Sequence, residues 1–121
     1  MQDEREHKRQ QFRDQLETAL EEEEDPLAVY YEFVQWTIKN YSEGDAKSGL
    51  IELLEESTRK FKSDPSYKTD LRYLKLWTMY AKYCERHGAL SIYKYLMTND
   101  IGISYSLLYE EYANALELSG R

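Results

Sequence analysis

The chain has 121 residues, with 16 basic against 23 acidic side chains and a formal net charge of -7. That length gives one ordinary domain with room for a core, and the acidic balance repels phosphate backbones, which excludes nucleic acid as a first partner. A single cysteine, Cys84, rules out an internal disulfide framework and suits a reducing compartment such as cytosol or nucleus, and no stretch approaches the roughly 18 apolar residues of a membrane span.

Few turn formers and many aromatics, 5 Gly and 2 Pro against 12 Tyr, point to an all-α chain. Residues 1–25 hold ten acidic and four basic side chains, a net of -6, so the remainder is nearly neutral. This acidic segment reads as a lead-in helix whose narrow stripe is Phe12, Leu16, Ala19 and Leu20. The run Glu21 to Asp25 reads as its solvated end, because consecutive carboxylates fan out around a helix and cannot converge on one cation. At Asp25-Pro26-Leu27 a first core helix starts, with Asp25 expected to cap and Pro26 to occupy the first helical position. Its apolar positions are Leu27, Tyr30, Val34, Ile38 and Tyr41.

Ser42 to Asp45 breaks that helix, and a second follows with Leu50, Leu53, Leu54 and Phe61 inside. Asp64-Pro65 interrupts again, since a residue before Pro is pushed out of the α region. The third helix is predicted from about Asp70 to His87, with Tyr73, Leu74, Trp77, Tyr80, Ala81 and Cys84 as apolar positions and a left-handed Gly88 as its stop. Ala89, Ile92, Tyr93, Leu96 and Met97 make a fourth. After Asn99 to Gly102, a fifth carries Tyr105, Leu108, Tyr109, Tyr112, Ala113 and Leu116.

Helices three and five repeat each other. Trp77, Tyr80, Ala81, Cys84 and Gly88 return as Tyr109, Tyr112, Ala113, Leu116 and Gly120, each 32 residues on. A large ring, then a ring and a small residue one turn later, is the pattern of stacked helical hairpins, in which the ring fills a groove and the small residue admits a neighbour. The expected architecture is a tandem helix-turn-helix, tetratricopeptide-like solenoid over residues 26–121, preceded by the lead-in helix of residues 1–25. It would hold two full hairpins plus the first helix of a third. On this reading the chain is a fragment of a longer protein whose fifth helix keeps an uncovered face, with self-association as a consequence.

Several of these residues together resemble a known domain. Asp25-Pro26-Leu27, Val34-Gln35-Trp36-Thr37 through Tyr41, Ser48-Gly49-Leu50, Tyr67, Asp70, Arg72-Tyr73-Leu74, Trp77, Tyr95-Leu96, Ile101-Gly102 and Tyr109-Glu110-Glu111-Tyr112 stand in the order of the N-terminal homology region of the Bub and Mad proteins of the spindle assembly checkpoint. The likeness covers residues 25–121, and the lead-in helix with Lys8-Arg9, Phe12 and Leu16 resembles the segment before that region. Departures are Leu71 and Ser42, where the family often has Pro, and the lack of a Lys-Glu-Asn motif, which leaves open a kinase-type or a Mad-type parent.

The resemblance implies a triple tetratricopeptide-like module, without catalysis or cofactor in this region. It would dock on helical motifs of the kinetochore scaffold protein, and its lead-in region would contact other subunits of the complex that restrains the anaphase-promoting ubiquitin ligase. The implied location is nucleus and kinetochore, with a cytoplasmic pool. A short motif that orders on binding is expected to bind at roughly micromolar strength, about -8 kcal/mol.

The residues matching the family's scaffold-contacting surface are Leu76, Trp77, Tyr80 and Cys84. Trp77 and Tyr80 also belong to the repeat pattern and can be core. Leu76 is expected to turn away from the Trp77 and Ala81 side and to be the clearest contact. Cys84 and His87 stand at i, i+3, the spacing of a thiolate pair or half a metal site, but no acid orients His87 and a free Cys is commonly a small core residue. A general peptide-binding helical repeat is the other reading, although Lys75, Lys82 and Arg86 find no matching basic row on helices one or five.

Overall fold

The computed structural model describes residues 2–84 and 86–120, and all regular structure among them is helical. The helices are α1 (Gln2–Glu22), α2 (Pro26–Asn40), α3 (Leu50–Lys60), α4 (Leu71–Tyr83), α5 (Arg86–Thr98) and α6 (Ser106–Ser119), with short 3-10 turns at Ala46–Ser48 and Pro65–Thr69. Two compact units divide the chain, Met1–Leu53 and Leu54–Arg121. The division falls inside α3. No helix among the described residues is long and apolar enough to cross a membrane.

In the first unit α1 and α2 form an antiparallel pair, because the start of α1 meets the end of α2. Phe12, Leu16 and Ala19 of α1 are buried, as the stripe requires. Phe12 stacks on Phe33 with centroids 4.9 Å apart and planes 5° from parallel, and tilts against Trp36 at 5.8 Å. Burying such a ring stabilises by about 1.5 to 3 kcal/mol and the aromatic pair adds about 0.5 to 1.5 kcal/mol. This is why an otherwise polar, acidic helix joins the unit instead of standing apart.

Asp25 behaves differently from the expectation. It lies in the left-handed region at φ 48°, and its carboxylate makes no cap hydrogen bond. The turn is tighter than a capped start allows: Glu24 N–H returns to the Ala19 carbonyl at 2.9 Å, and Asp25 contributes its own carbonyl to Ala28 N–H at 3.1 Å. Ile38, assigned to the inner stripe of α2, is 40% exposed, and Phe33 and Thr37 are buried in its place. The Thr37 hydroxyl is satisfied by the Phe33 carbonyl at 2.8 Å.

In the second unit two acidic residues cap the turns that follow them, Asp64 at the interruption before Pro65 and Asp70 at the start of α4. Asp64 accepts from Ser66 N–H at 3.0 Å and Asp70 from Arg72 N–H at 2.9 Å. Asp70 also holds the Arg72 guanidinium at 2.7 Å, in a charge-assisted pair. Arg72 hydrogen bonding holds the Asp70 carboxyl below its ordinary range, outweighing the opposing effect of burial. A carboxyl lowered on folding stabilises above the unfolded pKa of about 3.9 and loses that contribution as pH falls through its folded value. Asp70→Ala is therefore expected to cost about 1 kcal/mol at neutral pH, typical of a lost cap. In urea unfolding followed by circular dichroism, that deficit should shrink as the pH drops below about 3.9.

The third predicted helix ends four residues early. Cys84 is extended, with φ -88° and ψ 158°, so α4 stops at Tyr83. Gly88 sits inside α5, not at a left-handed stop; a Cβ there would lie 3.3 Å from Cys84 Cβ. Its missing side chain lets the α4–α5 corner close. The end of α5 does use the left-handed region: Asp100 takes φ 59°, Ile101 N–H reaches the Leu96 carbonyl at 2.9 Å and Asp100 N–H the Met97 carbonyl at 3.3 Å. This is a Schellman closure with its apolar clasp, since Leu96 and Ile101 are both buried.

α6 packs on α5 through Tyr112, stacked on Tyr93 at 5.6 Å, and through Leu108. Tyr109, Leu116 and Leu118 are 46%, 50% and 54% exposed. The 32-residue echo thus repeats the helix but not its burial, for Trp77 is 6% exposed where its counterpart Tyr109 is open.

Candidate interaction surface

α4 is the best-buried helix of the second unit, and among its residues only Lys82 is exposed. Aromatic rings run along it in series: Phe61 meets Tyr67 at 4.4 Å, Tyr67 meets Tyr73 at 6.2 Å, Tyr73 meets Trp77 at 6.1 Å, and Trp77 meets Tyr95 of α5 at 5.3 Å. The Tyr73 hydroxyl donates to the Thr58 carbonyl at 2.5 Å, tying α4 to the end of α3. Burial pushes the Tyr73 phenol up to about 12.

The four residues singled out in the sequence do not form one surface. Leu76 is 0% exposed, which corrects the expectation that it turns outward from the Trp77 and Ala81 side. The reason is helical arithmetic: Leu76 lies three residues after Tyr73 and four before Tyr80, so it belongs to their stripe and not to the opposite face. Trp77 and Tyr80 are brought together, with centroids 6.3 Å apart. They line a groove of about 200 Å³ with Ile92 and Tyr95 of α5 as further apolar walls and Arg59 and Lys62 at its edge. Cys84 instead lines a second groove of about 200 Å³ that includes Ala81, Tyr93, Glu111 and Leu118.

The first groove has an aromatic floor and a basic rim. Lys62 Nζ stands 5.3 Å from the Tyr95 ring centroid, and Arg59 pairs with Glu55 at 2.9 Å. Trp77 Nε1 is buried with no hydrogen-bond partner among the described residues. Tyr80 is half-buried, and burial first, then the Glu55 charge, raises its phenol, so at neutral pH it presents a neutral ring and hydroxyl. Such a groove accepts apolar side chains with acidic neighbours. Tyr95 is the contributor the periodic reading overlooked, and Ile92, read there as an inner position of its helix, also faces the groove. The signal for Tyr95 was present, because it lies three residues after Ile92 yet off the Tyr93–Leu96 stripe, where a bulky ring needs a second surface to cover it.

The Cys84 thiol is raised by burial, and then by Glu55, away from the thiolate that nucleophilic chemistry needs. The His87 side chain of the proposed pair lies outside the described residues. Among the described residues no three His, Cys, Asp or Glu side chains gather to hold a metal ion.

Paired helices with a partly open aromatic groove define a helical domain of the tetratricopeptide-like class. The family model for Mad3/BUB1 homology region 1 matches residues 7–121, and the chain belongs to that family. It is 41% identical over 106 residues to the mitotic spindle checkpoint component mad3 of Schizosaccharomyces pombe, covering 87% of this chain and 33% of that protein. It is 38% identical to the mitotic spindle checkpoint protein BUBR1 of Arabidopsis thaliana, covering 83% and 25%. The chain therefore spans a third or less of these relatives. Among solved structures, a chain of a mitotic checkpoint complex crystal structure superposes with a TM-score of 0.84 at 37% identity, over 95% of this chain and 53% of that one. The conserved N-terminal domain of the mitotic checkpoint component BUB1 superposes with a TM-score of 0.83 at 27% identity, covering 95% and 62%. The matched region is this helical homology region and not a kinase domain.

Proposed function

We propose that the chain is a docking module of a spindle assembly checkpoint protein, acting at kinetochores in the nucleus and also in the cytoplasm. Its Trp77–Tyr80 groove receives an amphipathic helical motif of the kinetochore scaffold. The observation that carries this reading is the pairing of Tyr80 with Trp77, Ile92 and Tyr95 round an open space of about 200 Å³. A preformed apolar groove is what a disordered motif needs to lay down one face of a helix. The basic rim of Arg59 and Lys62 favours a motif with acidic flanks. The lead-in helix α1 contributes contacts to other checkpoint-complex subunits and so supports restraint of the anaphase-promoting ligase, a reading supported by the similarity to a chain solved within such a complex.

Tyr80→Glu tests the groove without emptying the core, because Tyr80 is half-buried whereas Trp77 is not. Titration of a scaffold-motif peptide by calorimetry is expected to show at least tenfold weaker binding, about 1.4 kcal/mol, with far-UV helicity retained. An unchanged dissociation constant would rule the groove out as the docking site.

A further inference from the structure

The first unit contains a cationic pocket that takes no part in the Trp77–Tyr80 groove. In a chain of net charge -7, Arg5, Lys47 and, among the described residues, one carboxylate, Glu6, line a cavity of about 350 Å³ beside the Tyr41 ring. Arg9, one helical turn after Arg5, joins them: the Arg5 guanidinium lies 4.4 Å and that of Arg9 5.8 Å from the same Tyr41 centroid. Two guanidinium groups over one ring repel each other, and the fold fixes both. Arg5 Nη1 donates to the Asn40 carbonyl at 3.2 Å and Arg9 Nη1 to the Lys47 carbonyl at 3.0 Å. Gly49 leaves room for this, since a Cβ there would lie 3.2 Å from Arg9 Nη2.

Anchoring the end of α2 and the following loop takes one nitrogen of each fork. A guanidinium carries five N–H donors, so most of each remains for another acceptor. Among the described residues Arg5 makes no ion pair, and Arg9 has only Glu6, at a long 3.4 Å with the Glu6 side chain 70% exposed. The site therefore offers two positioned forks and a lysine to an anion, with a loosely held carboxylate standing where that anion would sit. Paired forks match the several oxygens of a phosphate better than the two of a carboxylate.

We propose that Arg5, Arg9 and Lys47 around Tyr41 bind a phosphate monoester, presented as a phosphorylated serine or threonine on a partner's flexible segment. Glu6 is the internal competitor that the phosphate displaces.

The test uses the 121-residue chain and three fluorescent Gly/Ser-rich peptides, identical except for one central phosphoserine, serine or glutamate, with inorganic phosphate as competitor. Fluorescence anisotropy is expected to show saturable binding of the phosphoserine peptide, at least tenfold tighter than either counterpart and reversed by phosphate. Lys47→Glu should weaken it at least tenfold with an unchanged melting temperature, because only the backbone of Lys47 takes part in the loop's hydrogen bonds. Glu6→Gln should strengthen it several-fold, a gain that a purely structural role for the arginines does not produce. Equal binding of the phosphoserine and serine peptides, binding indifferent to Lys47→Glu, or no saturable binding of the phosphoserine peptide would each overturn the proposal.

Discussion

Leu76→Glu is expected to leave no cooperatively folded chain at neutral pH. The side chain is 0% exposed, flanked one turn away by Tyr73 at 1% and on its own helix by Leu74 at 0%. Removing a buried Leu costs about 2 to 5 kcal/mol by itself, and an unpaired carboxylate in its place adds several kcal/mol of desolvation. Together these match or exceed the roughly 5 to 15 kcal/mol that hold an ordinary domain folded. Far-UV circular dichroism of the purified variant, with a urea titration beside it, checks this: loss of the sigmoidal transition is expected. Retained helicity with a melting temperature near that of the parent would show that α4 is open at this position. By contrast Tyr80→Glu, four residues on, is expected to fold, and the pair of substitutions separates core from groove on one helix.

The second large effect is expected at Gly102, through backbone and packing at once. Its φ is +71°, and a Cβ would stand 2.8 Å from both δ carbons of Leu74, which is itself fully buried. The left-handed conformation costs an L-residue about 1 to 2 kcal/mol, more when β-branched, and forcing a methyl into a filled site costs about 1 to 3 kcal/mol. Gly102 N–H also donates to the Lys68 carbonyl at 2.8 Å, so the loop cannot swing away without losing that bond. Gly102→Val should lower stability by about 2 to 5 kcal/mol. Gly44 supplies the control: its φ is +81° but nothing lies within 4 Å of its would-be Cβ, so Gly44→Ala should cost only the conformational part, about 1 to 2 kcal/mol. Equal losses for the two variants in denaturant unfolding would show that the Leu74 contact carries nothing.

The helices themselves were legible in the sequence because their signals are local. Phe12, Leu16 and Ala19 mark the buried side of α1, Asp64-Pro65 marks the break after α3, and Asp70 stands where α4 begins. The membership was legible as well, through motifs spread from Asp25 to Tyr112 that keep their order and spacing. The failures are equally specific. Asp25 and Gly88 were assigned the roles that Asp-Pro and a helix-end Gly usually play, but each residue's φ is set by the closure of its turn, which the neighbouring carbonyls and Cys84 decide.

The candidate surface was legible only in part. Trp77 and Tyr80 do face a common groove, whereas Leu76 does not reach it and Cys84 lines another. Periodicity marks the centre of a helix's apolar arc but not the arc's width, and on α4 the width is unusual because nearly its whole circumference is covered. The basic pocket at Tyr41 left no periodic trace at all: Arg5 and Arg9 are ordinary polar positions on α1 until α2 and its following loop bring Tyr41 and Lys47 beside them.

The amino-acid sequence alone determined the all-α class, the order of the helices and the family, since spacing, capping chemistry and composition act over a few residues and survive without knowledge of neighbours. Which aromatic rings are sealed and which stay open, and which charges meet, was decided by tertiary structure. Solvent exposure is a property of what packs against a side chain, and those partners come from segments as distant in the chain as Arg5 from Asn40 or Trp77 from Tyr95.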